Sequence, residues 1–137
     1  MSMTRWIAAG YAVALALAGL LNYIPGLTDA EGRAFGIFAL DIFDDLLHFV
    51  SAAWALLAAW ISRRASVIFL QVFGILYFLD GLMGLVTGSG YLDLGIVNHG
   101  ILDLPFSFKV LANLPHLFLG GFAIFAGFFL AKREAAA

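Results

Sequence analysis

The chain contains no cysteine, so disulfides, thiolate metal sites and cysteine nucleophiles are excluded at the outset. Charge is scarce too: 12% of residues are Asp, Glu, Lys or Arg, against roughly 25% in an ordinary soluble domain. The net charge of −2 is too small to suggest a nucleic-acid partner. No His-Glu-x-x-His or Glu-x-x-His pattern occurs, which disfavours zincin and di-iron carboxylate chemistry. Ser51 is the only serine placed for nucleophilic work, and it has no evident oxyanion donor, so the sequence leans away from an enzyme.

What the chain has in quantity is apolar surface. Of its 137 residues 64% are hydrophobic, and mean hydropathy is +1.02. A chain this apolar has too little polar surface to cover a water-soluble fold, so the lipid bilayer is its expected partner. Four long apolar runs, 5–24, 35–61, 66–87 and 114–131, each approach or exceed the ~20 residues a helix needs to cross the hydrocarbon core. Backbone groups find no partners in lipid, so such runs must be helical. The expected fold is all-α: one membrane domain over 1–137, a four-transmembrane-helix bundle with an interfacial loop at 88–113.

The punctuation fits. Pro25 and Gly26 close the first helix, Ser62-Arg63-Arg64 makes a tight turn, and Thr87-Gly-Ser-Gly90 closes the third. Pro115 is expected in the first turn of the fourth helix, where its missing N–H costs nothing. The first run has the outline of a signal peptide, with Arg5 ahead of Ala14-Leu-Ala16, but it continues past that point to membrane length. The loop 88–113 is long and rich in apolar residues, as befits a segment lying in the membrane interface.

Basic residues set the expected orientation. Arg5, Arg63, Arg64, Lys132 and Arg133 fall on one side, and Arg33 and Lys109 on the other. The richer side is cytoplasmic by the positive-inside rule, which puts both termini inside.

Gly19-Leu-Leu-Asn-Tyr-Ile-Pro-Gly26 resembles Gly81-Leu-Met-Gly-Leu-Val-Thr-Gly88, and Asp45-Leu-Leu-His48 resembles Asn113-Leu-Pro-His116. The simplest explanation is a tandem repeat of a helical hairpin about an axis along the membrane normal. Counting from the basic anchors, Asn22, His48, Asp80 and His116 lie 15–17 residues along their helices. At 1.5 Å per residue that is a polar layer roughly 22–26 Å from the anchors. Asp41, Asp44, Asp45 and His48 follow the i, i+3, i+4, i+7 spacing of one helix face. The expected site is therefore a histidine-bearing acidic funnel in the outer third of the bundle, with Asn22, Asp41, Asp44 and Asn113 as supporting polar groups.

Two readings stand for this layer. His48 and His116 can serve as ligands, for a metal ion with Asp44, Asp45 or Asp80, or as the axial pair of a haem. They can equally be interhelical hydrogen-bonding groups that hold no cofactor at all. Asp80 reads either as a proton or small-cation relay or as a carboxyl paired with a histidine. His99 and Asp103, four apart in the loop, cap the funnel or form an exposed pair. The corresponding functions are a small ligand-binding membrane protein, an accessory subunit of a homo-oligomer or larger membrane complex, or a small-cation pathway.

Phe35-Gly-Ile-Phe, Asp45-Leu-Leu-His48, Phe73-Gly-Ile-Leu-Tyr77, Gly81-Leu-Met-Gly84 and Asn113-Leu-Pro-His116-Leu together resemble a family of small bacterial four-helix membrane proteins known only as a domain of unknown function. The resemblance runs from about Trp6 to Phe129 and implies a four-helix fold and the bacterial inner membrane, without an activity. The chain departs from the family in its Asp44-Asp45 pair and in its long apolar third loop.

The lack of native cysteine makes the expected orientation easy to test. Single cysteines at Ser2 and Ala136 should react with a membrane-impermeant maleimide only after spheroplast lysis, and one at Gly100 without lysis. The reverse pattern would invert the topology.

Overall fold

The computed structural model describes residues 1–137 and contains four helices long and apolar enough to cross a membrane. The first is α1, Met3–Leu20, extended by a 3-10 turn at Leu21–Tyr23. The second and third are α2, Ile42–Ile61, and α3, Arg63–Thr87. A five-residue helix, α4 at Gly95–His99, interrupts the following loop. The fourth crossing is α5, Phe106–Ile124, then a π-helical segment, Phe125–Leu130, then α6, Ala131–Ala136. There are no strands, only isolated bridges of Ala34 to Thr28 and to Phe38.

Three expected boundaries are corrected. The second helix begins at Ile42 rather than at 35, because Asp41 and Asp44 form a capping box. The Asp41 carboxylate accepts the amides of Phe43 (2.9 Å) and Asp44 (3.1 Å), while Asp44 accepts the Asp41 amide (3.0 Å). These bonds satisfy amides that have no partner inside the helix. Phe35 and Gly36 ahead of the cap have φ of 54° and 71°, which no helix contains.

The fourth helix begins at Phe106 rather than at 114, which shortens the preceding loop to 88–105. Pro115 is therefore inside the helix and not in its first turn. Neighbouring helices make such an interior proline tolerable at membrane depth. The turn at 62–64 reduces to Ser62 alone, which ends α2 and caps α3 through the Ala65 amide (3.0 Å).

α1 packs mainly on α2, and α3 mainly on α5, giving two hairpins that join through α3, which touches both α2 and α1. α2 and α5 lie diagonally, with almost no direct contact. The core between the hairpins is Leu15, Phe69, Leu70 and Phe73 against the small face Ala52, Ala55 and Ala59 of α2.

The α3–α5 seam is set by glycine. A Cβ on Gly120 would lie 2.4 Å from the Phe78 amide nitrogen, and one on Gly74 2.7 Å from the Ile124 nitrogen. Backbones this close gain dispersion contacts that no larger residue would permit. Gln71, which the sequence did not single out, donates to the Gly127 carbonyl (2.9 Å) and so satisfies a group in the π-helical turn.

At the basic end, Glu134 accepts from the Met3 amide, the Thr4 hydroxyl (2.7 Å) and the Arg63 guanidinium (3.0 Å). Arg63 also donates to the Ala131 carbonyl, where the π-helical segment passes into α6, and Arg5 to the carbonyls of Ala59 and Trp60, so a cation covers the C-terminal end of α2.

Gly120→Ala should lower stability by about 1–3 kcal/mol, because its methyl group meets backbone and forces the helices apart. Gly10→Ala, whose Cβ meets nothing within 4 Å, should be neutral. Reversible unfolding in mixed micelles measures both, and equal effects would remove glycine contact as the basis of the seam.

Candidate functional site

A carboxylate in the interior of a bundle needs donors, and Asp80 on α3 has them. It is 2% exposed. Its Oδ1 accepts the amides of Tyr91 (2.8 Å) and Leu92 (2.9 Å), and its Oδ2 pairs with Nδ1 of His116 on α5. The loop reaches so deep because residue 90 is glycine: a Cβ there would stand 2.5 Å from Asp80 Oδ1.

With Nδ1 engaged by a carboxylate, the His116 imidazole is fixed in orientation and Nε2 is left as its available atom. This carboxylate–imidazole arrangement also orients metal-binding and general-base histidines. Beneath it the Tyr77 ring lies 4.6 Å from the imidazole, with its buried hydroxyl unpartnered.

A cavity of about 350 Å³ opens at this end of the bundle, between α2, α3, α5 and the loops 24–41 and 88–105. All three histidines of the chain, His48, His99 and His116, line it. So do Asp41, Asp44, Asp80 and Asp93, with Arg33, Lys109 and Asn113. His48 is 7% exposed and its Nδ1 is buried without a partner. Asn113 lies on Gly84, where a Cβ would come within 1.9 Å of its Oδ1, and its Nδ2 donates to the Lys109 carbonyl (2.8 Å).

The expected polar layer is thus divided. Asp44, His48, Asp80, Asn113 and His116 face the cavity. Asp45 instead accepts the Tyr23 hydroxyl (2.6 Å), and Asn22 donates to the Leu40 carbonyl (2.6 Å), so both serve the α1–α2 side. Asp41 lines the cavity, but one of its oxygens holds the helix cap. Of the loop pair, His99 lines the cavity and Asp103 does not.

Asp93, Arg33 and Lys109 also line the cavity, which helix spacing does not predict. The available signal was local: Asp93 accepts the Gly95 amide (2.9 Å) in a turn that opens α4, the pattern of a short polar residue two before a helix-starting glycine. No three His, Asp or Glu side chains converge closely enough to hold a metal ion.

Two groups outside the spans carry clear electrostatic signatures. The Arg33 amide hydrogen bond, helped by the Arg33 guanidinium and the Glu31 amide, holds the Asp29 carboxyl below the usual carboxylate range. Burial pushes the Tyr91 phenol up, and Asp80 adds to that; its hydroxyl donates to the Leu76 carbonyl (2.7 Å).

Asp80→Ala would orphan the Tyr91 and Leu92 amides, at about 1–3 kcal/mol per buried group. Hydrogen exchange at those two amides should accelerate by roughly 10- to 100-fold while α1 and α2 stay protected. Unchanged exchange would show that the loop is held by something else. The site rests on this geometry alone, since no family model, curated protein or solved structure matches the chain.

Proposed function

We propose that this is a multi-pass membrane protein that binds a small ligand in the cavity beneath its two long loops, through His48 and the Nε2 atom of His116. The observation that carries the reading is the convergence of every histidine in the chain on one cavity, one of them oriented by a buried carboxylate. The basic residues at the opposite end support a cytoplasmic position for the termini and an outward-opening cavity, in keeping with a bacterial inner-membrane protein.

The donor set favours a hydrogen-bonding molecule over a bare metal ion, since three ligands do not converge. A porphyrin needs an apolar slot, which a cavity lined by four aspartates, Arg33 and Lys109 does not offer. Conduction across the membrane finds little support. Below Tyr77 the buried residues of α3 are Gly74, Phe73, Leu70 and Phe69, and the one polar side chain of α3 between Tyr77 and Ser66, Gln71, is spent on the Gly127 carbonyl.

A structural reading has one observation in its favour: Asp80 already has all its partners and would lock α3, α5 and the loop without any ligand. Native mass spectrometry and elemental analysis of protein extracted from its own membranes separate the two. Ligand binding predicts a bound small molecule that is lost in a folded His48→Ala/His116→Ala variant. An empty wild type, with the double variant merely less stable, would establish the structural role instead.

A further inference from the structure

The two hairpins join through α3, and the other side of the bundle is left open. Backbone contact between α1 and the fourth crossing is made by the π-helical segment, while α5 itself stands largely apart from α1. Between α1 and α5 runs a cleft of about 450 Å³, walled by Ile7, Gly10 and Ala14 on one side and by Phe118 and Phe122 on the other. A Cβ on Gly10 would meet nothing within 4 Å, whereas every other glycine of the four crossings has a neighbour inside that distance. The one polar side chain in the wall, Tyr11, is spent on the Leu119 carbonyl.

The depth of the cleft and the charge at its end point to the same occupant. Ile7 and Ala14 are two and nine residues beyond Arg5, roughly 3 and 14 Å along the helix, which fits the ~15 Å of one hydrocarbon leaflet. From Phe122 an aromatic path continues toward the basic end. The rings of Phe122 and Phe125 have centroids 6.5 Å apart, those of Phe125 and Phe129 are 5.2 Å apart, and the Arg133 guanidinium lies over the Phe129 ring at 5.8 Å. Arg133 and its neighbour Lys132 are exposed, and neither takes part in an ion pair. The carboxylate at that end, Glu134, is taken by Arg63, the Thr4 hydroxyl and the Met3 amide. A guanidinium over a ring face keeps N–H donors at its edge for a phosphate.

We propose that the cleft holds one acyl chain of an anionic phospholipid from the leaflet at the basic end, with the phosphate at Arg133 and Lys132. Charge-assisted bonds from two cations suit that group. An apolar cleft alone would also suit a second copy of the chain. In a membrane, however, a second copy about an axis along the normal would bring its own Arg133 and Lys132 to the same level, like charge against like charge. The lipid site is separate from the histidine-lined cavity, with which it shares no residue.

Native mass spectrometry of the full-length protein in detergent tests the assignment, with dioleoylphosphatidylglycerol and its zwitterionic match dioleoylphosphatidylcholine as probes. The anionic lipid should give a saturable one-to-one adduct, about tenfold tighter than the zwitterionic one. The Lys132→Gln/Arg133→Gln variant should bind the two equally. Gly10→Leu, whose side chain enters open space, should weaken the anionic lipid about tenfold or more, and Ala53→Leu on the exposed face of α2 should leave it unchanged. Ala14→Leu fills the same cleft and repeats the test should Gly10→Leu fail to fold. Equal binding of the two lipids by the unaltered protein, or binding indifferent to the cleft-filling substitutions, would overturn the assignment. A dimer that Gly10→Leu dissociates, with no lipid preference, would overturn it in favour of a second copy.

Discussion

The Asp80 carboxylate is the group on which the loop end of the bundle depends. An ionised carboxylate away from water is costly unless hydrogen bonds replace its hydration. Three donors meet that demand, and they come from two different parts of the chain: the loop amides of Tyr91 and Leu92, and His116 on α5. One side chain thereby fixes where the loop 88–105 enters the bundle, how α5 is rotated on α3, and which nitrogen His116 turns to the cavity. Gly90 is part of the same constraint, because any side chain there would collide with the carboxylate.

Glu134 plays the corresponding part at the basic end, where it gathers the start of α1, the start of α3 and the end of the fourth crossing. Between the two carboxylates the bundle is held differently. Glycines in α3 and α5 bring backbones together, and Phe69, Phe73 and Tyr77 stack in series along α3, with ring centroids 5.0 Å and 4.2 Å apart. Polar groups gather at both ends, and the histidine-lined cavity opens at the loop end.

The candidate site was legible in part. His48, Asp80 and His116 stood out because ionisable groups are costly within apolar runs, and counting from the basic anchors put them at one depth. Their helix faces also agree with a shared cavity. Asp45 and Asn22 had the same depth but face α1 and α2 contacts, a matter of rotation that spacing did not resolve. Asp93 is in a loop, where no periodicity relates it to Asp44, and only its local turn pattern ahead of α4 marks it. The missed start of α5 has a simple cause as well. Pro115 resembled a first-turn proline, while the true start follows Pro105, in a stretch whose apolar residues suited an interfacial loop equally well.

By itself the sequence determined the helical class, the four crossings and the presence of buried ionisable groups, because length, hydropathy and the need to satisfy backbone hydrogen bonds in lipid leave little choice. Only the tertiary structure decided which of those groups meet. Partnership depends on helix rotation, on glycine contacts that set the distance between α3 and α5, and on loops that fold back onto them. These are long-range packing effects, and no local pattern of residues encodes them.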